Sequence, residues 1–337
     1  MYKCAMQTIL VTGGGGYIGS RFIKSLKNKY KIISVDKYLF SDPPKKTKNF
    51  ESIREDTRSI DLSKINRKID CIVDFAAISN DPSGEFFKKE TFDINYKARF
   101  NLAKQAKKFK IKKYILPSSC SVYGASNKIS NEKSKTNPLT NYAKANLMAE
   151  NSVLKLANKN FNVIVLRFGT IFGFSPKMRL DLVLNAMTIF AYKENRLSLM
   201  KDGNQYRPLL HIQDAIDAVE FMIKSNNEKF NKNIYNVGNN KFSNYKMIDL
   251  AKLVKKSIQK KIKLTWYGDP DKRNYMVDFS KIQDIGFYCK YDAYYGINEL
   301  IQNSKQININ EKRFYTLNWY KYLDECKRIS QKYLGLK

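Results

Sequence analysis

Histidine occurs once, at position 211, and no two of the five cysteines (Cys4, Cys71, Cys120, Cys289, Cys326) form a CxxC pair. The chain therefore has no ordinary zinc ligand set, and no metal is expected. An odd number of cysteines without a spacing pattern also argues against a disulfide framework and for a reducing, cytoplasmic setting. No run of eighteen apolar residues occurs, so no membrane-spanning helix is expected. The first residues, MYKCAMQTILVTG, pass straight into an apolar segment without the pattern of a cleavable leader. Acidic side chains are few, 31 against 61 Lys and Arg, for a formal charge of +30. Such an excess invites a nucleic-acid reading. The lysines, however, are spread along the whole chain, and no arginine-rich arm, RNA-binding signature or helix-turn-helix pattern accompanies them. No nucleic-acid partner is expected, although a positive surface would attract a doubly charged ligand.

Glycine is concentrated where it matters. Thr8 to Thr12 is a short apolar, β-branched run that reads as a buried strand, followed by Gly13 to Gly16, Tyr17, Ile18 and Gly19 and then a helical pattern to about Lys27. Strand, glycine turn and helix open a dinucleotide-binding βαβ unit, in which the backbone must turn tightly and approach a pyrophosphate. A second strand, Lys31 to Val35, ends in Asp36, seventeen residues past Gly19 (36 − 19). An acid there accepts from an adenosine ribose and repels a 2′-phosphate, which favours NAD over NADP. Lys37, beside it, weakens that exclusion slightly.

Strand and helix patterns alternate up to about Arg167, as a parallel sheet covered on both faces requires. Further strands are expected at Phe50 to Arg54, Ile69 to Phe75, Lys113 to Pro117 and Asn162 to Phe168. Long helices are expected over Glu85 to Lys108 and Asn141 to Ala157. After a Gly/Pro loop at Gly169 to Lys177 the pattern becomes mixed, except that Pro208 to Ile223 reads as a unit returning to the first domain. The tail, Asn310 to Lys337, reads as one or two aromatic-rich amphipathic helices. The expected architecture is α/β: a Rossmann doubly wound parallel sheet with a smaller C-terminal α/β substrate domain. Residues 1–168 plus about 207–235 form the first domain, and 169–206 plus 236–337 the second.

Ser119 follows the fifth strand and Tyr142 opens the next helix, both at the C-terminal sheet edge where ligands of open α/β folds bind. With TGGGGYIG, Asp36, Asp56, FAAIS, SSCSVYG, NYAKA, RPLLHIQDA and DPDKRNYMVDFSKI in order, the chain resembles the extended short-chain dehydrogenase/reductases. The branch is that of NAD-dependent nucleotide-sugar epimerases, dehydratases and 4-dehydrogenases. The resemblance implies that Tyr142, as phenolate, takes the proton from a sugar hydroxyl at C4, that Ser119 hydrogen-bonds the same oxygen, and that NAD takes the hydride. It places Gly13, Gly16, Tyr17, Ile18, Gly19, Asp36, Asp56, Thr57, Phe75, Ala76, Ala77, Asn95, Tyr142 and Asn146 at the cofactor. It places Ser79, Ser119, Cys120, Ser121, Arg179, Asn185, Arg207 and Arg273 at a nucleoside-diphosphate sugar, for surface-glycan or sugar-nucleotide synthesis. It further implies a homodimer through the two long helices, with Phe92, Tyr96, Phe100, Leu147 and Leu154 as apolar contacts.

Two departures narrow this reading. The family pattern is Tyr-x-x-x-Lys, but Asn146 stands four residues after Tyr142. A lysine there lowers the tyrosine pKa by its charge, whereas asparagine brings none. Lys144, about 200° away around the helix, points elsewhere. A catalytically weakened sugar-nucleotide-binding or scaffold protein is therefore the alternative to an epimerase or 4-dehydrogenase. Cys120 and Ser121 stand where 4,6-dehydratases carry Asp-Glu, which disfavours dehydration. His211 is expected to start a helix and not to act as a base.

Overall fold

The computed structural model describes residues 6–225, 228–271 and 273–334. Cys4 and the last three residues of the expected C-terminal helix lie outside them. Short, β-branched apolar runs form the strands of a large sheet: β1 (Thr8–Thr12), β2 (Lys31–Asp36), β3 (Phe50–Arg54), β4 (Cys71–Asp74), β5 (Lys113–Ser119) and β6 (Asn162–Phe168). Smaller strands follow at β7 (Thr170–Phe172), β8 (Arg196–Met200) and β9 (Tyr206–His211), and β10 (Asn233–Val237) joins the large sheet. β11 (Asn244–Lys246) and β12 (Lys263–Tyr267) complete the small ones. The large sheet runs β10-β6-β5-β4-β1-β2-β3, with every pairing parallel. The chain winds outward from β1 through β2 and β3, then crosses back to β4. The reversal leaves a crevice at the strand ends between β1 and β4.

Helices cover both faces, as a parallel sheet demands. In chain order they are α1 (Tyr17–Leu26), α2 (Asp81–Phe86), α3 (Lys88–Phe92), α4 (Arg99–Lys108), α5 (Asn141–Leu154), α6 (Val183–Glu194), α7 (Ile212–Lys224), α8 (Met247–Ile258), α9 (Ser280–Asp284), α10 (Ala293–Gln302) and α11 (Thr316–Leu334). α1 and α7 pack together on one face, while α4 and α5 pack together on the other. One apolar cluster lies on each side of the sheet, around Phe22 and Ile164 and around Leu102 and Val163. A third, around Leu184, Leu197 and Leu250, belongs to the smaller part built on α6, α8 and α10.

The expected helix over Glu85 to Lys108 is broken. Asn80 caps α2 by accepting the Ser83 N–H at 2.9 Å, and Phe87 then leaves the helical conformation to pack its ring against Phe86 and Tyr320. Between α3 and α4 the chain makes a π-helical turn, Asp93–Ala98. The expected return to the first part also begins later than Pro208. β9 pairs with β7 and β11 in a small sheet, and the return starts with α7. His211 caps α7, its Nδ1 accepting the Gln213 N–H at 3.2 Å. The buried Lys113 amino group ties α7 to the sheet by donating to the carbonyls of Met222 and Ile223 at 2.8 and 2.7 Å.

Under the end of β5 lies a buried ion pair. Arg167 Nη2 donates to Glu150 Oε2 at 2.6 Å, with side chains 3% and 0% exposed. Ser118 Oγ donates to Glu150 at 2.5 Å, and Arg167 Nη1 donates to the Tyr123 hydroxyl at 2.9 Å. Removing one member strands a buried charge, which typically costs about 3–5 kcal/mol. Glu150→Ala should therefore lower the urea-unfolding free energy by about that much, and the double variant Glu150→Leu/Arg167→Met by clearly less. Equal losses would show that the charges contribute nothing specific.

Candidate active site

A cleft of about 1190 Å3 opens along the C-terminal edge of the large sheet. Ligand pockets usually measure about 300–1,000 Å3, so this one has room for more than one small molecule. Of the residues expected at the cofactor, Gly13, Gly16, Tyr17, Ile18, Gly19, Asp36, Asp56, Thr57, Phe75, Ala76, Ala77 and Tyr142 line it. Of those expected at the substrate, Ser79, Ser119, Ser121, Arg179, Arg207 and Arg273 line it.

The glycine turn forms one end. Gly13 has φ +72°, and a Cβ there would lie 2.7 Å from the Ala76 nitrogen. Gly16 precedes α1 without a side-chain cap, so the first N–H groups of α1 remain available to an anion. Asp36 ends β2, and its carboxylate accepts the N–H groups of Gly15 at 3.0 Å and Tyr38 at 2.5 Å. Burial pushes its pKa up, against these two donors and the Arg54 charge. Lys37 turns to Asp56 at 3.2 Å and so does not counter the Asp36 charge. Asp56 also takes the Arg58 guanidinium at 2.6 Å, which holds its carboxyl far below the usual range. Thr57 Oγ1 is buried without a hydrogen-bond partner. A bare turn against backbone, an uncapped helix start, an acid at the strand end and an orphaned hydroxyl together fit NAD.

Ser119 ends β5 and Tyr142 lies in the first turn of α5, whose cap Thr140 accepts the Ala143 N–H at 3.1 Å. Ser119 Oγ accepts the Ser121 N–H at 3.1 Å. Burial raises the Tyr142 pKa. Arg99 is the strongest opposing charge, Asp81 raises the pKa further, and the Ser119 hydroxyl and Arg179 act to lower it. Farther along, Arg179 forks onto Asp181 at 2.9 and 2.8 Å and donates to Ser79 Oγ at 3.1 Å. Arg207 and Arg273 share Asp271, at 2.6 and 2.8 Å, and Arg273 also donates to Asp81. The guanidinium forks of Arg179, Arg207 and Arg273 in one cleft match an anionic ligand with several oxygens.

Four expected residues stand outside the cleft lining. Asn95 is buried, accepting the Ile78 N–H and donating to the Ile78 carbonyl, each at 2.9 Å. It pins the loop after β4 and spends its amide there. Asn146 donates to the Tyr142 carbonyl at 2.9 Å and accepts from Arg99 at 2.6 Å. Cys120 is fully buried behind the turn after β5, its thiol near the Arg167 carbonyl at 3.4 Å. Asn185 braces the loop around it, accepting the Gly173 N–H at 2.9 Å and donating to the Tyr17 hydroxyl and the Arg179 carbonyl at 3.0 and 3.1 Å. Its amide supports Arg179 and has no capacity left for a diphosphate.

The cleft also holds residues that no motif indicated: Arg99, Lys177, Gln205 and, from α11, Tyr320, Asp324 and Lys327. Lys177 is 4% exposed, with its ammonium 4.5 Å from the centre of the Phe40 ring. Its only signal in sequence is a place two residues before Arg179.

Residues 9–238 match the NAD dependent epimerase/dehydratase family. The chain is 27% identical over 227 residues to an uncharacterised UDP-glucose epimerase of Bacillus subtilis (strain 168), covering 63% of this chain and 71% of that one. It is 26% identical over 310 residues to a putative UDP-glucose 4-epimerase of Methanocaldococcus jannaschii, covering 89% and 99%. Its fold matches the UDP-glucuronic acid 4-epimerase of Bacillus cereus, crystallised with UDP-glucuronic acid and NAD. The TM-score is 0.79 at 23% identity, over 90% of this chain and 100% of that one.

Burial, helped by the Arg179 charge, pushes Lys177 down to about 7. An unfolded lysine titrates near about 10.4. Between those values the unfolded chain holds a proton that the folded chain has released, so this group's contribution to stability falls as pH drops through the window. Lys177→Met should raise the thermal midpoint most at about pH 6, with the gain fading towards about pH 10. A gain independent of pH would mean that Lys177 is not strained by burial.

Proposed function

Because the chain belongs to the NAD dependent epimerase/dehydratase family, we propose that it acts on a nucleoside-diphosphate sugar at C4, as a 4-epimerase or 4-dehydrogenase. The supporting observation is that Ser119 and Tyr142 line one cleft together with the glycine turn and Arg179, Arg207 and Arg273. NAD, when bound, supplies the acceptor for the hydride and, in an epimerase, its return to the opposite face. The Tyr142 phenolate takes the hydroxyl proton, and the Ser119 hydroxyl donates to the same oxygen as charge builds there. Arg179, Arg207 and Arg273 hold the diphosphate, and the cleft walls exclude water. Neither the buried thiol of Cys120 nor the hydroxyl of Ser121 can serve as the acid or base that 4,6-dehydration needs. All four described cysteines are free thiols, which supports a reducing, cytoplasmic compartment.

The test is incubation with a panel of nucleoside-diphosphate sugars, reading bound NADH and product stereochemistry. An inverted C4 with no net NADH marks an epimerase, and a keto-sugar with reduced cofactor marks a dehydrogenase. Binding without conversion for every sugar would leave a sugar-nucleotide-binding protein. Tyr142→Phe should lower turnover by about 10²–10⁴-fold, the range of general base catalysis, while sugar-nucleotide affinity changes little.

We also propose a homodimer through α5 and the α3–α4 segment. The residues first assigned to that contact are partly committed at home: Tyr96 and Leu154 pack against the core around Leu102, and Leu147 against the opposite core. Met148, 41% exposed on α5, is the better apolar contact. Solution scattering at micromolar concentration should give twice the chain mass, and Met148→Glu should halve it. A monomer mass for the unaltered chain refutes the dimer.

A further inference from the structure

The proposed reaction needs Tyr142 as a base. An ordinary phenol, with a pKa of about 10, keeps its proton at neutral pH, and burial pushes that of Tyr142 higher still. One helical turn on stands Asn146, which is uncharged and 1% exposed, with both ends of its amide engaged. One end donates to the Tyr142 carbonyl, and the other accepts from Arg99 Nη1 at 2.6 Å.

Arg99 comes from a different element. It opens α4, directly after the π-helical turn that packs on α5. Asn95 and Arg99, four residues apart, grip the same loop: Asn95 through the backbone of Ile78, Arg99 through the Ala76 carbonyl at 3.2 Å. Widened turns of this kind recur at functional sites. Arg99 is 2% exposed and lines the cleft. Among the described residues no carboxylate lies within ion-pair distance of it, and the partners of Nε and Nη1 are neutral oxygens. A buried cation without a counter-ion is costly to keep.

We propose that Arg99, held by Asn146 and the Ala76 carbonyl, is the positive charge that stabilises the Tyr142 phenolate, with Asn146 as its positioning residue. The inference rests on Tyr142 being the base. The other charged groups around the phenol are already engaged. Arg179 is paired with Asp181, and Asp81 with Arg273 and the Thr140 hydroxyl. Glu85 accepts from the Asn141 N–H and side chain, and Glu150 is paired with Arg167. Asp74, beyond Arg99, accepts from Thr12 and Tyr114. Lys144 is exposed on the far side of α5.

The experiment compares the full chain, Arg99→Gln, Arg99→Lys and Arg99→Gln/Asn146→Lys, each with and without Tyr142→Phe. Two readouts are taken: tyrosinate absorbance against pH without cofactor, where the Tyr142→Phe difference isolates this phenol, and kcat against pH. An opposite charge close by moves a pKa by about 1–3 units. Arg99→Gln should therefore shift the Tyr142 titration and the acidic limb of kcat up by that amount, with a loss of about 10- to 1000-fold at neutral pH. Arg99→Lys should retain most of the effect, and Asn146→Lys should restore it in the Arg99→Gln background. If Arg99→Gln does not fold, Asn146→Ala takes its place, with the same upward shift expected. A Tyr142 titration unmoved by loss of the charge, or a loss of kcat equal at every pH, overturns the role of Arg99 and leaves Tyr142 as base. Full activity of Tyr142→Phe overturns the base assignment and this proposal with it.

Discussion

The structure depends on one close approach of backbone to backbone. At Gly13 the turn leaving β1 passes so near the chain leaving β4 that no side chain fits between Gly13 and Phe75–Ala76. At Gly19 a Cβ would lie 2.2 Å from the Gly13 carbonyl, so α1 is seated on the same turn. These contacts place the ends of β1 and β4 and the start of α1 at one point, at the strand-order reversal. The crevice follows from that geometry, because crossovers diverge there and no helix fills the space. Substitution at either glycine would move the floor of the cleft, not just one side chain in it.

Above that floor the polar groups are arranged so that little is left unpaired. Glu150, Arg167, Ser118 and Tyr123 form a closed network beneath β5. Such a network adds little net stability but fixes geometry, since any one loss exposes the others to burial without a partner. Ser119 continues directly from Ser118, so the serine proposed for catalysis inherits its position from this buried pair. Asn185 does the same for the opposite wall by joining Tyr17, Gly173 and Arg179. Several asparagines thus act as struts behind the residues that face the ligand.

The C-terminal helix forms part of the cleft wall. α11 hangs from the loop after β2, with Trp319 Nε1 donating to the Leu39 carbonyl at 2.6 Å. The Tyr320 ring meets Phe40 and Phe87 edge-on. Burial, together with the Asp36 charge, pushes the Tyr320 phenol well up. Aromatic side chains give α11 a broad contact at small entropic cost, with the polar tips of Asp324 and Lys327 left at the cleft. The tail that reads in sequence as an amphipathic helix is therefore part of the wall around the proposed adenosine end.

The parallel sheet, the glycine turn, Asp36 and the Ser119–Tyr142 pair were legible in the sequence because each obeys a local rule. Buried parallel strands need apolar β-branched runs, a tight turn against a ligand needs glycine, and residues at strand ends reach the crevice by topology alone. The break at Phe87, the π-helical turn and the roles of Asn95, Asn146 and Asn185 were not legible. An asparagine bonds equally well to a ligand or to backbone, and only the packed neighbours decide which. The same holds for the charge beside Tyr142. Sequence spacing shows that no lysine follows one turn later. That Arg99 comes within electrostatic reach from another helix is decided by the contact between α5 and the turn before α4, a distance of 47 residues along the chain. Local chemistry is written in neighbouring residues, but a through-space charge depends on the fold that brings distant residues together.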